Sequence, residues 1–279
     1  MNEPILYVNG DLVKKSEARI SVYDSGFQHG DGVYEGIRVY DGRVFMLDEH
    51  IERLYESATA IGIDIGVPKE EMRAIVLRTL RANSQRDDVH IRLQVTRGRK
   101  RVTGMNPKFN EGSASIVVCL DRKEPIYRKD GVRLITSRHI RSTPRLIDPK
   151  IHTVNQLHQV LASIEANRQG ADEAIMLDPN GFVAETNGTT IFMIKRGQLL
   201  TPTVDYILVG ITRGLVLDVA AAEGIPACER NLSLPEFYSA DEAFICGTVG
   251  EIVPISEIDG ISIGGQIPVS YTHLTLPTN

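Results

Sequence analysis

DEAIMLDPNGFVAETNGTTIF, residues 172–192, is the stretch that decides how this chain is read. Asn180-Gly181 is a hairpin turn, a pair whose backbone accepts the positive φ angles that a two-residue reversal needs. The apolar strand Phe182-Val183-Ala184 follows, and it delivers Glu185 to a strand end ahead of the small residues Thr186–Thr190. In one reading that carboxylate faces inward. In the other it is a solvated strand-end glutamate.

Two shorter motifs downstream bear on the choice. Gly210-Ile211-Thr212-Arg213 opens a helix that runs from Thr212 to Glu223 and closes on Gly224. The unpaired N–H groups at a helix N-terminus bind phosphate, and a threonine hydroxyl adds a donor. An ordinary threonine cap is the alternative. Gly247-Thr248-Val249-Gly250 follows the apolar strand Ala243–Cys246. Its two glycines let backbone amides approach an anion closely, unless the motif is only a tight strand-to-strand connection. Arg53 would add a charge-assisted bond to the same phosphate, or else is a surface arginine. An inward Glu185 would then hold a pyridine nitrogen protonated, so that the ring accepts electrons from a carbanion.

Composition excludes several classes of function. The chain has 279 residues, enough for one large domain or two modest ones. With 42% hydrophobic and 24% charged residues it reads as soluble and globular. A net charge of −5 gives no field to attract nucleic acid or anionic lipid. Cys119, Cys228 and Cys246 are far apart and form no CxxC pair, which argues against disulfides and zinc and for a cytoplasmic location. MNEPILYVNG lacks the pattern of a signal peptide, and no apolar run reaches membrane-spanning length.

Short strands and helices alternate along the chain. Ile5–Val8 and Asp11–Val13 flank Asn9-Gly10, and VYEGIRVY (33–40) and RVFML (43–47) flank Asp41-Gly42. Asp48 is the expected N-cap of a helix with Ile51, Leu54, Ala58 and Ile61 on one stripe. A second helix after Pro68 buries Met72, Ile75, Val76 and Leu80. Strands follow at Val89–Thr96 and Ser113–Leu120. The polar stretch 121–131 is the expected linker between a small N-terminal α/β domain (1–120) and a larger C-terminal domain (132–267). The latter opens with the strand VRLIT. A helix over Thr153–Arg168 is expected to bury Val154, Leu157, Leu161 and Ile164 and to end at Gly170. The last twelve residues, PVSYTHLTLPTN (268–279), continue no pattern. VSYTHL is what a common sequencing-adapter sequence encodes, so this tail reads as an artefact.

In combination these motifs resemble the fold-type IV pyridoxal phosphate enzymes, the class-IV aminotransferase family. That family includes branched-chain and D-amino-acid aminotransferases and aminodeoxychorismate lyase. The resemblance covers roughly residues 3–267. It rests on VYEGIRVYDGRVFMLDEHIERLYESA, the 172–192 block, GITRG and ADEAFICGTVGEIVPISEIDG. It implies a two-domain α/β fold of the D-amino-acid aminotransferase kind, pyridoxal 5'-phosphate as cofactor, and a homodimer or higher homo-oligomer with active sites near the interface and between the domains. By the same resemblance Arg53, Ile211, Thr212 and Thr248 hold the phosphate and Glu185 pairs with the ring nitrogen.

The resemblance also implies a lysine that bonds covalently to the cofactor and carries a proton, three or four residues before an asparagine in an arrangement like K-x-x-N-Y-L. Asn155-Gln156-Leu157 aligns with N-Y-L. His152 then fills the slot three before, Lys150 stands five before, and Gln156 replaces the tyrosine that bonds the cofactor's ring oxygen. In an extended strand residues 150 and 152 point to one face, about 6.6 Å apart. An undistorted strand leaves Lys150 short, and a bulge would re-aim it, within limits set by Pro149. Three readings stay open. Lys150 makes the covalent link, or the cofactor is held without one while His152 moves protons, or the chain binds cofactor with little chemistry.

The carboxylate of the substrate needs cationic or amide donors. Tyr34, Arg38, Arg92, Arg97, the cluster Arg99-Lys100-Arg101, and Val249 in the glycine turn are the candidates, though the basic cluster reads equally as a solvated loop, Lys100 above all. His90–Gly98 looks intermediate between branched-chain and D-amino-acid patterns. Tyr34 falls where the branched-chain group has a pocket aromatic, and His29 where that group often has tyrosine. The leading reading is an aminotransferase that moves an amino group between a branched-chain L-amino acid and a 2-oxo acid. A lyase of the aminodeoxychorismate type is the alternative enzyme.

Overall fold

Two Asx-Gly turns shape the first sheet. Asn9 and Gly10 take φ of 49° and 111°, and Asp41 and Gly42 take 48° and 77°. The positive angles match the twist of the strands they join. The computed structural model describes residues 3–85, 87–122, 126–127 and 131–264. Most of the expected linker and the whole 268–279 tail lie outside the described residues.

The chain packs as two units. The first is Met1–Glu124 together with Ile151–Asn155, and the second is Pro125–Lys150 together with Gln156–Asn279. A five-residue segment of the second half of the sequence therefore belongs to the first unit.

The first unit runs β1 (Ile5–Val8), β2 (Asp11–Lys14), α1 (Ser25–His29), β3 (Gly32–Tyr40), β4 (Arg43–Val44), α2 (Leu47–Ala60), α3 (Lys69–Arg81), β5 (Val89–Thr96) and β6 (Ser115–Arg122). The strands form one antiparallel sheet in the order β2-β1-β6-β5-β3-β4. Side chains alternate along β3. Val33, Ile37 and Val39 are fully buried in a core with Leu54 and Ala58 of α2 and with Met72, Ile75 and Val76 of α3. Glu35 has the same parity, so the pleat carries a carboxylate into an apolar face.

The second unit contains β7 (Val132–Thr136), α4 (Leu157–Arg168), β8 (Glu173–Leu177), β9 (Val183–Thr186), β10 (Thr190–Lys195), β11 (Gln198–Thr201), α5 (Ile211–Ala222), β12 (Ala227–Glu229), α6 (Leu234–Tyr238), β13 (Glu242–Gly247), β14 (Glu251–Ile258) and β15 (Ile261–Ser262). Its sheet is ordered β12-β11-β10-β13-β14-β7-β8-β9, with β15 on β14. β7 lies parallel to both β14 and β8, so the sheet is mixed. Phe192 and Phe244 stack across β10 and β13 with ring centroids 5.0 Å apart. Among the described residues no helix is long and apolar enough to cross a membrane.

Two helix expectations are corrected. Asp48 is not the N-cap of α2. That position belongs to Met46, which takes φ 46° and makes no side-chain cap, while Asp48 sits in the first turn and pairs with Arg73 at 2.5 Å. The helix expected over Thr153–Arg168 begins only at Leu157, because residues 152–154 are hydrogen-bonded to β3 instead. Its buried side is also different. Ala162 and Ala166 pack with Ile135, Ala174 and Met176, whereas Leu157, Leu161 and Ile164 are exposed. Small residues let the helix lie close on β8, and the larger stripe is turned away.

Candidate active site

Glu35 is the centre of the polar cluster in the first unit. Arg53, projecting from α2, places Nε 2.8 Å from Glu35 Oε1 and Nη2 2.7 Å from Oε2. His50, one turn earlier on α2, brings Nδ1 to 2.6 Å of Oε2. His152 brings its Nδ1 to 3.1 Å of Oε1. Burial alone would raise the pKa of Glu35, but the His152 ring and the hydrogen bonds from Arg53, His152 and His50 reverse that, so the carboxyl stays well below its usual range. Burial lowers the pKa of His152 against the pull of Glu35. Near pH 7 the ring is neutral, and its Nδ1–H donates to the carboxylate.

Glu185 is the centre of the second unit. It is 6% exposed and faces inward from β9. Arg141 Nη2 lies 2.5 Å from its Oε1, and the amide of Leu208 donates to the same carboxylate. Burial pushes its pKa up to about 6, with Arg141 opposing the rise, so the group is ionised at pH 7. Leu208 leads into α5, whose N-cap is Gly210. Ile211 and Thr212 supply first-turn amides that have no intrahelical acceptor, and Thr212 is 7% exposed. A Cβ on Gly210 would lie 3.2 Å from Thr190 Oγ1, so a larger residue there must push that hydroxyl aside. Thr248, Val249 and Gly250 form the turn between antiparallel β13 and β14. Beside it, Glu173 takes hydrogen bonds from Tyr127, Thr186 and Thr189 and so fixes the loop that follows Glu185.

Lys150 is not on an extended strand. Pro149 and Lys150 form a turn in which the Lys150 amide donates to Asp148 Oδ1 at 3.0 Å, and the lysine side chain is 41% exposed. The strand spacing from 150 to 152 therefore does not apply. Gln156 is the residue before α4. Among the substrate candidates, Arg97 has its donors committed elsewhere. It forks onto Asp31 at 2.7 and 3.0 Å and donates to the carbonyls of Ile61 and Gly62 at 2.7 Å each. Arg38 is 3% exposed, pairs with Asp88 at 3.5 Å and lies over the Tyr40 ring. Arg92 and Tyr34 form a pair, with the guanidinium 3.9 Å from the ring centroid. Lys100 is buried, with Nζ 2.5 Å from the Gly104 carbonyl, and His29 Nε2 lies 3.2 Å from the same carbonyl.

The class IV amino-transferase family profile matches residues 32–258, and the chain belongs to that family. A Methanocaldococcus jannaschii protein, described provisionally as a branched-chain-amino-acid aminotransferase, is 48% identical over 262 residues, covering 94% of this chain and 90% of that one. The branched-chain-amino-acid aminotransferase-like protein 2 of Arabidopsis thaliana is 44% identical over 93% of this chain, but the chain spans only 47% of that relative's length. The crystal structure of the branched-chain aminotransferase from the thermophilic archaeon Thermoproteus uzoniensis with norvaline superposes with a TM-score of 0.88, at 35% identity and over 95% of this chain and 90% of that one.

Class IV aminotransferases use pyridoxal 5'-phosphate, and the residues present fit that group. Arg141 Nη1 and Arg213 Nε are buried nitrogens without a hydrogen-bond partner among the described residues. Both belong to cations held beside the loop that leads into α5, Arg141 against the Tyr206 carbonyl and Arg213 within the helix's first turn. An inward carboxylate and first-turn amides without intrahelical acceptors accompany them. Sequence reasoning missed Arg141, Glu35 and His50. Arg141 lies in an irregular segment without periodicity. Glu35 did leave a signal, a carboxylate on the buried parity of an apolar strand.

Proposed function

We propose that the protein is an aminotransferase moving an amino group between a branched-chain L-amino acid and a 2-oxo acid, with pyridoxal 5'-phosphate as cofactor. The observation that carries this reading is buried, ionised Glu185 held by Arg141 beside the α5 N-terminus. When bound, the cofactor supplies an electron-withdrawing ring that takes up the electron pair released at the substrate's Cα.

The chain's own residues have separate tasks. Glu185 holds a proton on the ring nitrogen, and Arg141 keeps Glu185 charged despite its burial. The amides of Ile211 and Thr212 and the Thr248 hydroxyl would hold the phosphate, with Arg53 adding to it only from a guanidinium already forked onto Glu35. Lys150 is the residue that would make the covalent link and carry the proton to and from Cα, from a turn beside Asp148. Gln156, just before α4, would stand in for the tyrosine toward the cofactor's ring oxygen, and Val249, in the β13–β14 turn, would line the substrate side. Arg92 and Tyr34 receive the substrate carboxylate, since Arg97 and Arg38 are engaged with Asp31 and Asp88. The names of the similar proteins support the branched-chain substrate. A homo-oligomer in a reducing, cytoplasmic compartment completes the proposal; the family resemblance supports the assembly and three free cysteines support the compartment.

The replacement of tyrosine by Gln156 favours one second reading, a cofactor-binding homologue with little turnover. An assay with L-leucine, L-isoleucine or L-valine and 2-oxoglutarate separates the possibilities. Glutamate formation supports the proposal. Preference for D-alanine moves the substrate assignment. Pyruvate release without amino transfer indicates a lyase, and cofactor binding without any product indicates the second reading.

A further inference from the structure

The segment after Lys150 completes an edge of the first sheet. β4 pairs with Val39 and Tyr40, so among the described residues the Gly32–Gly36 part of β3 has no named strand beside it on that side. An uncovered edge leaves backbone donors and acceptors unpaired. Residues 152–154 fill the gap. The Tyr34 amide donates to the His152 carbonyl and the Val154 amide to the Gly32 carbonyl, both at 2.9 Å, and Val33 bridges Thr153 antiparallel. The Thr153 hydroxyl adds a bond to Gly32 at 3.1 Å, and the His152 amide donates to Ser57 Oγ at 3.1 Å. Gly30, at φ 68°, passes so close to Asn155 that a Cβ would sit 3.3 Å from its side chain.

One side chain of this strap reaches a buried charge. The His152 ring is bonded to Glu35 and lies against the Tyr34 ring, centroids 4.0 Å apart. Glu35 is in turn fixed from α2 by Arg53 and His50. We propose that His152 is a positioning residue, which locks the Ile151–Asn155 strap onto β3 through Glu35 and thereby anchors the chain two residues after Lys150. The ring's hydrogen-bonding nitrogen is used as a tether, and no proton passes through it in the reaction. The link to catalysis rests on Lys150 being the reacting lysine, whereas the tether itself does not depend on that reading.

Asparagine places its amide N–H close to where histidine holds Nδ1–H, but it has no basic ring nitrogen. His152→Asn, His152→Ala and the parent protein are therefore compared in two measurements. The first is hydrogen exchange of the Tyr34 and Val154 amides in cofactor-free protein. His152→Ala is expected to speed both by at least about 10-fold, and His152→Asn to keep them within about 3-fold of the parent. Unchanged exchange in His152→Ala overturns the tether. Fast exchange in His152→Asn as well overturns the claim that the Nδ1-type donor is what matters. The second is turnover of cofactor-loaded protein, with the fraction of Lys150 trapped by borohydride. Asparagine is expected to restore both. A loss of roughly 100-fold or more in turnover for His152→Asn, with normal exchange and normal trapping, identifies the ring as a general base instead. If the parent itself traps no cofactor, the proposed function fails, and the exchange measurement still decides the tether.

Discussion

Glu35 and Arg53 meet in a two-pronged ion pair, with Nε 2.8 Å from one carboxylate oxygen and Nη2 2.7 Å from the other. The fork fixes the guanidinium plane, and a lysine offers only a point charge. Arg53→Lys is therefore expected to raise the dissociation constant for pyridoxal 5'-phosphate by about 10- to 150-fold, since a single lost charge-assisted bond is worth roughly 1.5–3 kcal/mol. Cofactor titration followed by absorbance checks this. Unchanged affinity would remove Arg53 from the phosphate site.

Glu185 links the site to pH. Its pKa in the folded protein is about 6 against an ordinary 4.5. The folded state therefore binds the proton more tightly, and this contribution to stability is full below pH 4.5 and lost as pH rises through 6. The difference corresponds to about 2 kcal/mol. Arg141, the Leu208 amide, Glu173 and Arg213 set that value together, after burial. In cofactor-free protein, stability relative to Glu185→Gln should fall between pH 4.5 and pH 7, as read by urea denaturation. Parallel profiles would contradict the buried acid. The same variant should lose turnover roughly 100-fold, in the range found when one preorganised electrostatic group is removed, with a much smaller change in cofactor retention.

Arg97 is expected to act as a clamp. It ties Asp31 to the carbonyls that end α2, and its side chain is only 17% exposed. Arg97→Lys should cost about 2–3 kcal/mol of stability while leaving KM for the amino acid within about 3-fold. Denaturant midpoints and steady-state kinetics test both halves. A large rise in KM at unchanged stability would return Arg97 to the substrate site.

On α4 the small residues should matter more than the large ones. Ala166→Leu forces bulk against β8 and is expected to cost about 1–3 kcal/mol. Leu161→Ala, at a position 38% exposed, should cost under about 1 kcal/mol. The reverse ranking in thermal or urea unfolding would mean that the Leu157–Leu161–Ile164 stripe is covered in the assembled protein.

The elements were legible where periodicity and turn chemistry agree. The Asn9-Gly10 and Asp41-Gly42 hairpins, the α2 and α3 stripes and the strand that delivers Glu185 lie where the residues put them, while Asn180-Gly181 sits in a longer 178–182 connection in which only Gly181 takes a positive φ. α4 was misread because its apolar residues repeat at helical spacing on the side that does not pack. The pattern reports amphipathicity, and it does not say which face meets β8. The start of α4 was missed because residues 152–154 are claimed by the edge of β3, a contact more than 110 residues distant in the chain that no local pattern encodes. Arg141 was invisible for the same reason, while Arg97 was visible as a cation but not as the partner of Asp31. The extended-strand geometry assumed for Lys150 failed because Asp148 draws its amide into a turn.

Lys150 is the lysine proposed to bond the cofactor. Borohydride reduction of protein loaded with pyridoxal 5'-phosphate, followed by digestion and peptide mass mapping, tests it most directly. One pyridoxyl-modified site is expected, on Lys150. Bound cofactor with no modified lysine, or with the mark on a different lysine, would contradict it.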